Sequence, residues 1–117
     1  MSDDRDLTAI RRRLEEERDT LRESSEHTAE ARRPVTLDQP SVGRLSRMDA
    51  LQGQAMAVAT EERRLRRRQQ IEAALERIES GDYGFCVICG EEIAPRRLEL
   101  DPASPTCVSC AESRARA

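Results

Sequence analysis

Leu7, Ile10, Leu14 and Leu21 advance by three, four and seven positions through a charged stretch, residues 4 to 33, that holds no Gly or Pro. That spacing predicts one long helix with a narrow apolar seam, because side chains three, four and seven apart share a helix face. RRPVTLDQPSVG, residues 32 to 43, then concentrates Pro34, Pro40 and Gly43 among Ser, Thr and Asp, a composition that breaks helices. From about Ser41 to Ser80 the helical spacing returns. Leu45, Met48, Leu51, Ala55, Val58, Leu65, Ile71, Leu75 and Ile78 advance mostly by threes and fours, and Gly81 follows as a C-terminal stop. Asp38 or Ser41 is a candidate cap for the second helix, since either side chain can accept a free amide proton at a helix start.

Two long helices around a short break predict an antiparallel hairpin. In one trial register Leu14 faces Leu65, Leu21 faces Val58 and Leu7 faces Ile71 to within one position. It centres the turn between Gln39 and Pro40, where the break chemistry also lies. The same register sets Glu15 and Glu16 opposite Arg64 and Arg63. The expected fold is mainly α: a long antiparallel coiled-coil helical hairpin over residues 1 to 80, with its turn near 34 to 41. Residues 81 to 117 follow as a small four-cysteine finger with a short C-terminal helix. The alternative is a plain dimerising coiled coil.

Composition sharpens this picture. Of 117 residues, 37% are apolar and 37% charged, with one Tyr and one Phe, so a broad globular core is excluded and a local staple is needed. All twenty cations are Arg, yet the net charge is −3, which argues against non-specific nucleic-acid binding and for a protein partner. The longest apolar run, Ala55 to Ala59, is too short to span a bilayer, and the N-terminus lacks a secretory pattern, so a cytoplasmic protein with no membrane association is expected.

Every cysteine falls in CVICGEEIAPRRLELDPASPTCVSC, residues 86 to 110. The spacing Cys86-x-x-Cys89, seventeen residues, then Cys107-x-x-Cys110 is that of a four-cysteine zinc site. Two residues between thiolates let one tight turn aim both sulfurs at a single ion, and two such turns close a tetrahedral shell. Zn2+ is therefore expected as a structural ion, with a redox dithiol pair as the rival reading. No His or carboxylate sits at ligand spacing for an open catalytic zinc, His27 reads as a solvated helix residue, and no phosphate loop, nucleophile elbow or catalytic dyad is present. An enzyme is not expected.

Residues 74 to 112, ALERIESGDYGFCVICGEEIAPRRLELDPASPTCVSCAE, resemble the zinc-finger module of the DksA/TraR family of bacterial transcription regulators. The likeness lies in the G-D-Y-G-x-C lead-in, the C-x-x-C-G-x-x-I turn, the following R-L and the cysteine spacing. The resemblance implies a monomer that binds RNA polymerase directly, without sequence-specific DNA contact. Its hairpin enters the secondary channel and modulates initiation, as in the stringent response, and in many members the alarmone ppGpp acts as co-regulator. It also implies a tip that carries acidic residues as D-x-x-D-x-A. Here the nearest stretch is Asp38-Gln39-Pro40-Ser41-Val42-Gly43, so Asp38 matches while Ser41 and Gly43 replace the second Asp and the Ala. Arg44, Arg47 and Asp49 beside the turn are further candidate partner contacts. The alternative function is a zinc-ribbon module that binds nucleic acid or another protein, with helices that serve dimerisation.

Overall fold

A computed structural model of the chain describes residues 6–35 and 44–116. Its elements are α1 (Leu7–His27), a 3-10 turn (Glu30–Arg32), α2 (Arg44–Ser80), α3 (Pro95–Leu100) and α4 (Val108–Arg116). The described chain is mainly α-helical, a helical hairpin ahead of a four-cysteine module, and its one β-bridge joins Phe85 to Glu92. It divides into two compact units, residues 1–18 with 68–117, and residues 19–67.

Asp6 begins α1: its Oδ1 accepts the amide proton of Ala9 at 3.1 Å, and its carbonyl takes that of Ile10 at 3.1 Å. Helix α1 ends at His27, short of the expected Arg33. Two local effects stop it. The Thr28 hydroxyl turns back onto the Ser24 carbonyl at 2.7 Å, and the amide of Ala29 reaches Glu26, so the α-helical ladder tightens to 3-10. Pro34 then disfavours helical backbone at the residue before it, and Arg33 is extended at φ −62°, ψ 145°.

At the other end, α2 stops at Ser80 as the sequence predicts. Gly81 takes φ +83°, a left-handed conformation that a side chain would strain. The amide of Gly81 reaches the Ile78 carbonyl and that of Asp82 reaches the Arg77 carbonyl at 2.9 Å, the paired bonds of a Schellman cap.

In the first unit α1 and α2 run antiparallel, with Arg11 paired to Glu79 at 3.3 Å and Arg18 to Glu72 at 3.4 Å. In the second unit they are antiparallel too, with Thr28 facing Arg64. This overturns the trial register: α2 is displaced by about three helical turns, at ~3.6 residues per turn. Leu14 is fully buried, whereas Leu65, its supposed partner, is 43% exposed. Arg64 pairs with Glu61, and Arg63 donates to the Thr60 hydroxyl, so the pairing to Glu15 and Glu16 does not form. The assumption that failed is equal rise in both arms. The first arm leaves the α-helix at His27, and a 3-10 turn advances ~2.0 Å per residue against ~1.5 Å in α-helix, so the residues of the two arms do not pair one for one.

The first unit holds the apolar core. Leu14, Ile71, Ala74 and Ile78 from the helices are buried, as are Tyr83, Ile93, Leu98 and Ala103 from the module after Gly81. Arg13 adds a tie from α1 to the Glu99 carbonyl at 2.9 Å. Replacing Leu14 with Ala is expected to destabilise the protein by about 2–5 kcal/mol. Leu65→Ala is expected to cost under about 1 kcal/mol, because its side chain is already wet. Urea unfolding of both variants checks this, and equal losses would restore the trial register.

Candidate metal centre

The cysteine module is built from two turns that face each other. In the first, the amide of Gly90 bonds the Cys86 carbonyl at 3.0 Å and the amide of Cys86 bonds the Glu91 carbonyl at 2.8 Å. Gly90 takes φ +78° on leaving that turn, which explains a glycine directly after Cys89. The amide of Ile93 reaches the Gly84 carbonyl at 2.8 Å and closes the small hairpin. In the second turn, Cys107 immediately precedes α4 and Cys110 sits in its first turn, with the amide of Ala111 bonded to the Cys107 carbonyl at 3.0 Å.

The turns are tied together away from the sulfurs. Val87 donates its amide to the Pro105 carbonyl at 2.9 Å, and Arg97 donates from Nε to the Thr106 carbonyl at 2.8 Å. The buried Tyr83 gives its hydroxyl proton to the Pro102 carbonyl at 2.8 Å. Pro95 opens α3 at a position where its missing amide costs nothing, and α3 turns Leu98 into the core.

These supports bring all four sulfurs, those of Cys86, Cys89, Cys107 and Cys110, within 4.8 Å of one another, with Cys89 and Cys107 at 3.8 Å. Four sulfurs at ~2.3 Å from a tetrahedral zinc ion stand about 3.8 Å apart, so the cluster fits one such ion. None of the four is in a disulfide. Backbone donors favour the thiolate at Cys86. The amide of Cys89, ahead of those of Cys107 and Ile88, draws the Cys86 thiol down to about 6. The amide of Ile88 lies 3.4 Å from Cys86 Sγ, and that of Cys110 lies 3.5 Å from Cys107 Sγ. The opposite shift appears at Cys110, held up to about 12 mainly by its hydrogen bond with the Cys107 thiol and then by burial. A site that draws one thiol down while holding another up needs added positive charge before all four ligate.

Residues 81–116 match the family described as the prokaryotic dksA/traR C4-type zinc finger. The C-terminal module of this chain is a DksA/TraR zinc finger. The RNA polymerase-binding transcription factor DksA of Haemophilus influenzae is 45% identical over 42 residues, which cover 36% of this chain and 29% of that protein. Its namesake in Escherichia coli strain K12 is 43% identical over 42 residues, covering 36% and 28% respectively. The chain thus spans under a third of the length of these curated relatives. Among solved structures, the transcription factor DksA2 from Pseudomonas aeruginosa has a TM-score of 0.72 at 26% identity, covering 93% of this chain and 82% of that one.

Asp38, Ser41 and Gly43 lie outside the described residues, as does the side chain of Arg44. Near the start of α2, Asp49 is exposed and Arg47 half-buried. His27 is exposed at the end of α1, as the sequence predicts. What the sequence does not signal is the apolar skin of the knuckles: Val87, Ile88 and Val108 lie between the ligand positions with their side chains exposed. Among the described residues no helix is long and apolar enough to cross a membrane.

One zinc ion per chain is expected by elemental analysis of the purified protein, falling to background in Cys107→Ser. The single tyrosine, Tyr83, packs in the finger core, so chelation of the metal should also abolish its near-UV circular dichroism. An unchanged tyrosine signal after complete chelation would show that the finger holds its shape without metal.

Proposed function

We propose that this chain is a non-enzymatic transcription regulator that binds RNA polymerase directly, with the finger over residues 81 to 117 as its metal-clamped base. The hairpin over residues 1 to 80 is the inserted probe. The observation that carries the reading is the joint likeness: the finger matches proteins named for polymerase binding, and a DksA2 structure matches across both finger and helices. The ion is zinc held by Cys86, Cys89, Cys107 and Cys110. Its role is structural, because four thiolates leave no position for water or substrate, and such binding is worth ~10–16 kcal/mol at neutral pH.

Insertion into the polymerase secondary channel presents the turn, with Asp38, Ser41 and Gly43, toward the enzyme's active centre. Arg44, Arg47 and Asp49 contact the channel wall. A carboxylate brought near a catalytic metal acts by charge, and this tip offers Asp38 where the resemblance implies a pair. The effect on promoter complexes is accordingly weaker than that of a two-carboxylate tip, and its dependence on ppGpp is read by repeating each measurement with and without the nucleotide. The protein acts as a monomer in the cytoplasm, in keeping with the pairing of α1 and α2 within one chain.

Two measurements test this. The full chain should be retained by polymerase core without DNA. Binding instead to free DNA with a steep salt slope would favour a nucleic-acid module. Asp38→Asn should remove the effect on promoter-complex lifetime while leaving polymerase binding intact. A lifetime effect that survives the substitution would reduce Asp38 to a helix cap.

A further inference from the structure

The second unit contains a polar knot at the point where the chain leaves α1. Glu61 on α2 is only 13% exposed at its side chain, and its Oε1 accepts from two guanidinium groups, Arg32 Nη1 at 3.2 Å and Arg64 Nη1 at 3.3 Å. Both of those nitrogens also donate to the Thr28 hydroxyl, at 2.9 and 3.2 Å, while that hydroxyl gives its own proton to the Ser24 carbonyl. Its one proton and two lone pairs are then all used. Arg32 Nη2 donates further to the Ser25 carbonyl at 3.0 Å, and Gln54 Nε2 reaches the Arg32 carbonyl at 3.4 Å.

Arg32 is thus gripped at its side chain by α1 and α2 and at its backbone by α2, although it belongs to neither helix. No residue of the 3-10 turn Glu30–Arg32 is buried, so apolar packing does not hold that turn in place. We infer that Glu61, shared by Arg32 and Arg64, is a positioning residue: it latches the turn after α1 onto α2 and so fixes the direction in which the chain enters residues 36–43. One carboxylate between two guanidiniums is the least that can do this. Removing it leaves two like charges, both half-buried, facing each other across Thr28, and they push the turn off α2. The functional consequence rests on the reading above, since those residues form the proposed tip. The latch itself is a property of the free protein.

The test is amide hydrogen exchange on the full-length, zinc-loaded protein. In Glu61→Gln the amides of Ala31, Arg32 and Arg33, which close the 3-10 turn, should exchange about tenfold faster, while those of residues 71–80 keep their wild-type rates. Glu61→Arg should loosen the turn further. Adding Arg32→Glu restores one carboxylate between two guanidiniums and should recover most of the lost protection, a rescue that general weakening of the helix does not give. Unchanged exchange in Glu61→Gln overturns the latch, as does equal acceleration at residues 71–80 or failure of the charge swap to rescue. On polymerase, Glu61→Gln should bind as the wild type does and lose most of its effect on promoter-complex lifetime. A full effect with a loosened turn overturns the positioning role. If the wild type itself has no effect on polymerase, the proposed function fails while the exchange result still decides the latch.

Discussion

Four sulfurs within 4.8 Å of one another are the constraint around which the finger is arranged. Thiolates at that distance repel, and the backbone amides that draw the Cys86 thiol down do not reach Cys110, which its hydrogen bond with Cys107 and burial hold up. A divalent cation resolves it. The remainder of the module reads as scaffolding for that convergence: a left-handed Gly90 after the first pair, a helix start under the second, and backbone bonds from Val87 and Arg97 that lock one turn to the other. None of those bonds is strong alone, since a typical hydrogen bond nets only ~0.5–1.5 kcal/mol. They aim the ligands, and the metal supplies the stability that an aromatic-poor chain cannot draw from its core.

The finger is not an appendage on the helices of its unit. Leu14 of α1 and Ile71, Ala74 and Ile78 of α2 are buried in the same unit as Tyr83, Ile93 and Leu98. The Schellman cap at Gly81 makes this possible, because it reverses the chain within two residues of Ser80 and returns Tyr83 toward the helix it has just left. A loose linker there would let finger and helix fold independently. The cap instead ties the start of the finger to the end of α2, where the amide of Tyr83 reaches the Arg77 carbonyl at 3.1 Å.

Much of this was legible in the sequence, and the parts that were not fail for physical reasons. The cysteine spacing, the Gly81 stop and the break around Pro34 all rest on local chemistry, and local chemistry is what a sequence states directly. The pairing register is non-local. Sparse leucines define it only if both arms are helical to the turn, and Thr28, which bonds back to Ser24, ends that symmetry six residues before Pro34. The density of apolar residues from Ile71 to Ile78, close to the finger, carried the better signal for where the core lies. Arg64 was expected to reach Glu15 or Glu16 across the seam, and the nearer carboxylate, Glu61 one turn away on its own helix, won.

The two units differ in what fills the space between α1 and α2. The first is apolar: Leu14 and Ile71 are fully excluded from water. In the second, Ser25 is buried, Thr28 and Arg32 are half-buried, and Glu61 stands where an apolar hairpin would place a leucine. Apolar contacts are non-directional and tolerate a slip of one turn. A hydroxyl with all three of its hydrogen-bonding positions used does not, because a slip strands a carboxylate and two guanidiniums without partners. Polar seams give up stability to define one geometry. The division follows the demands on each unit: metal and apolar burial secure the first, and directional bonds set the course of the chain in the second.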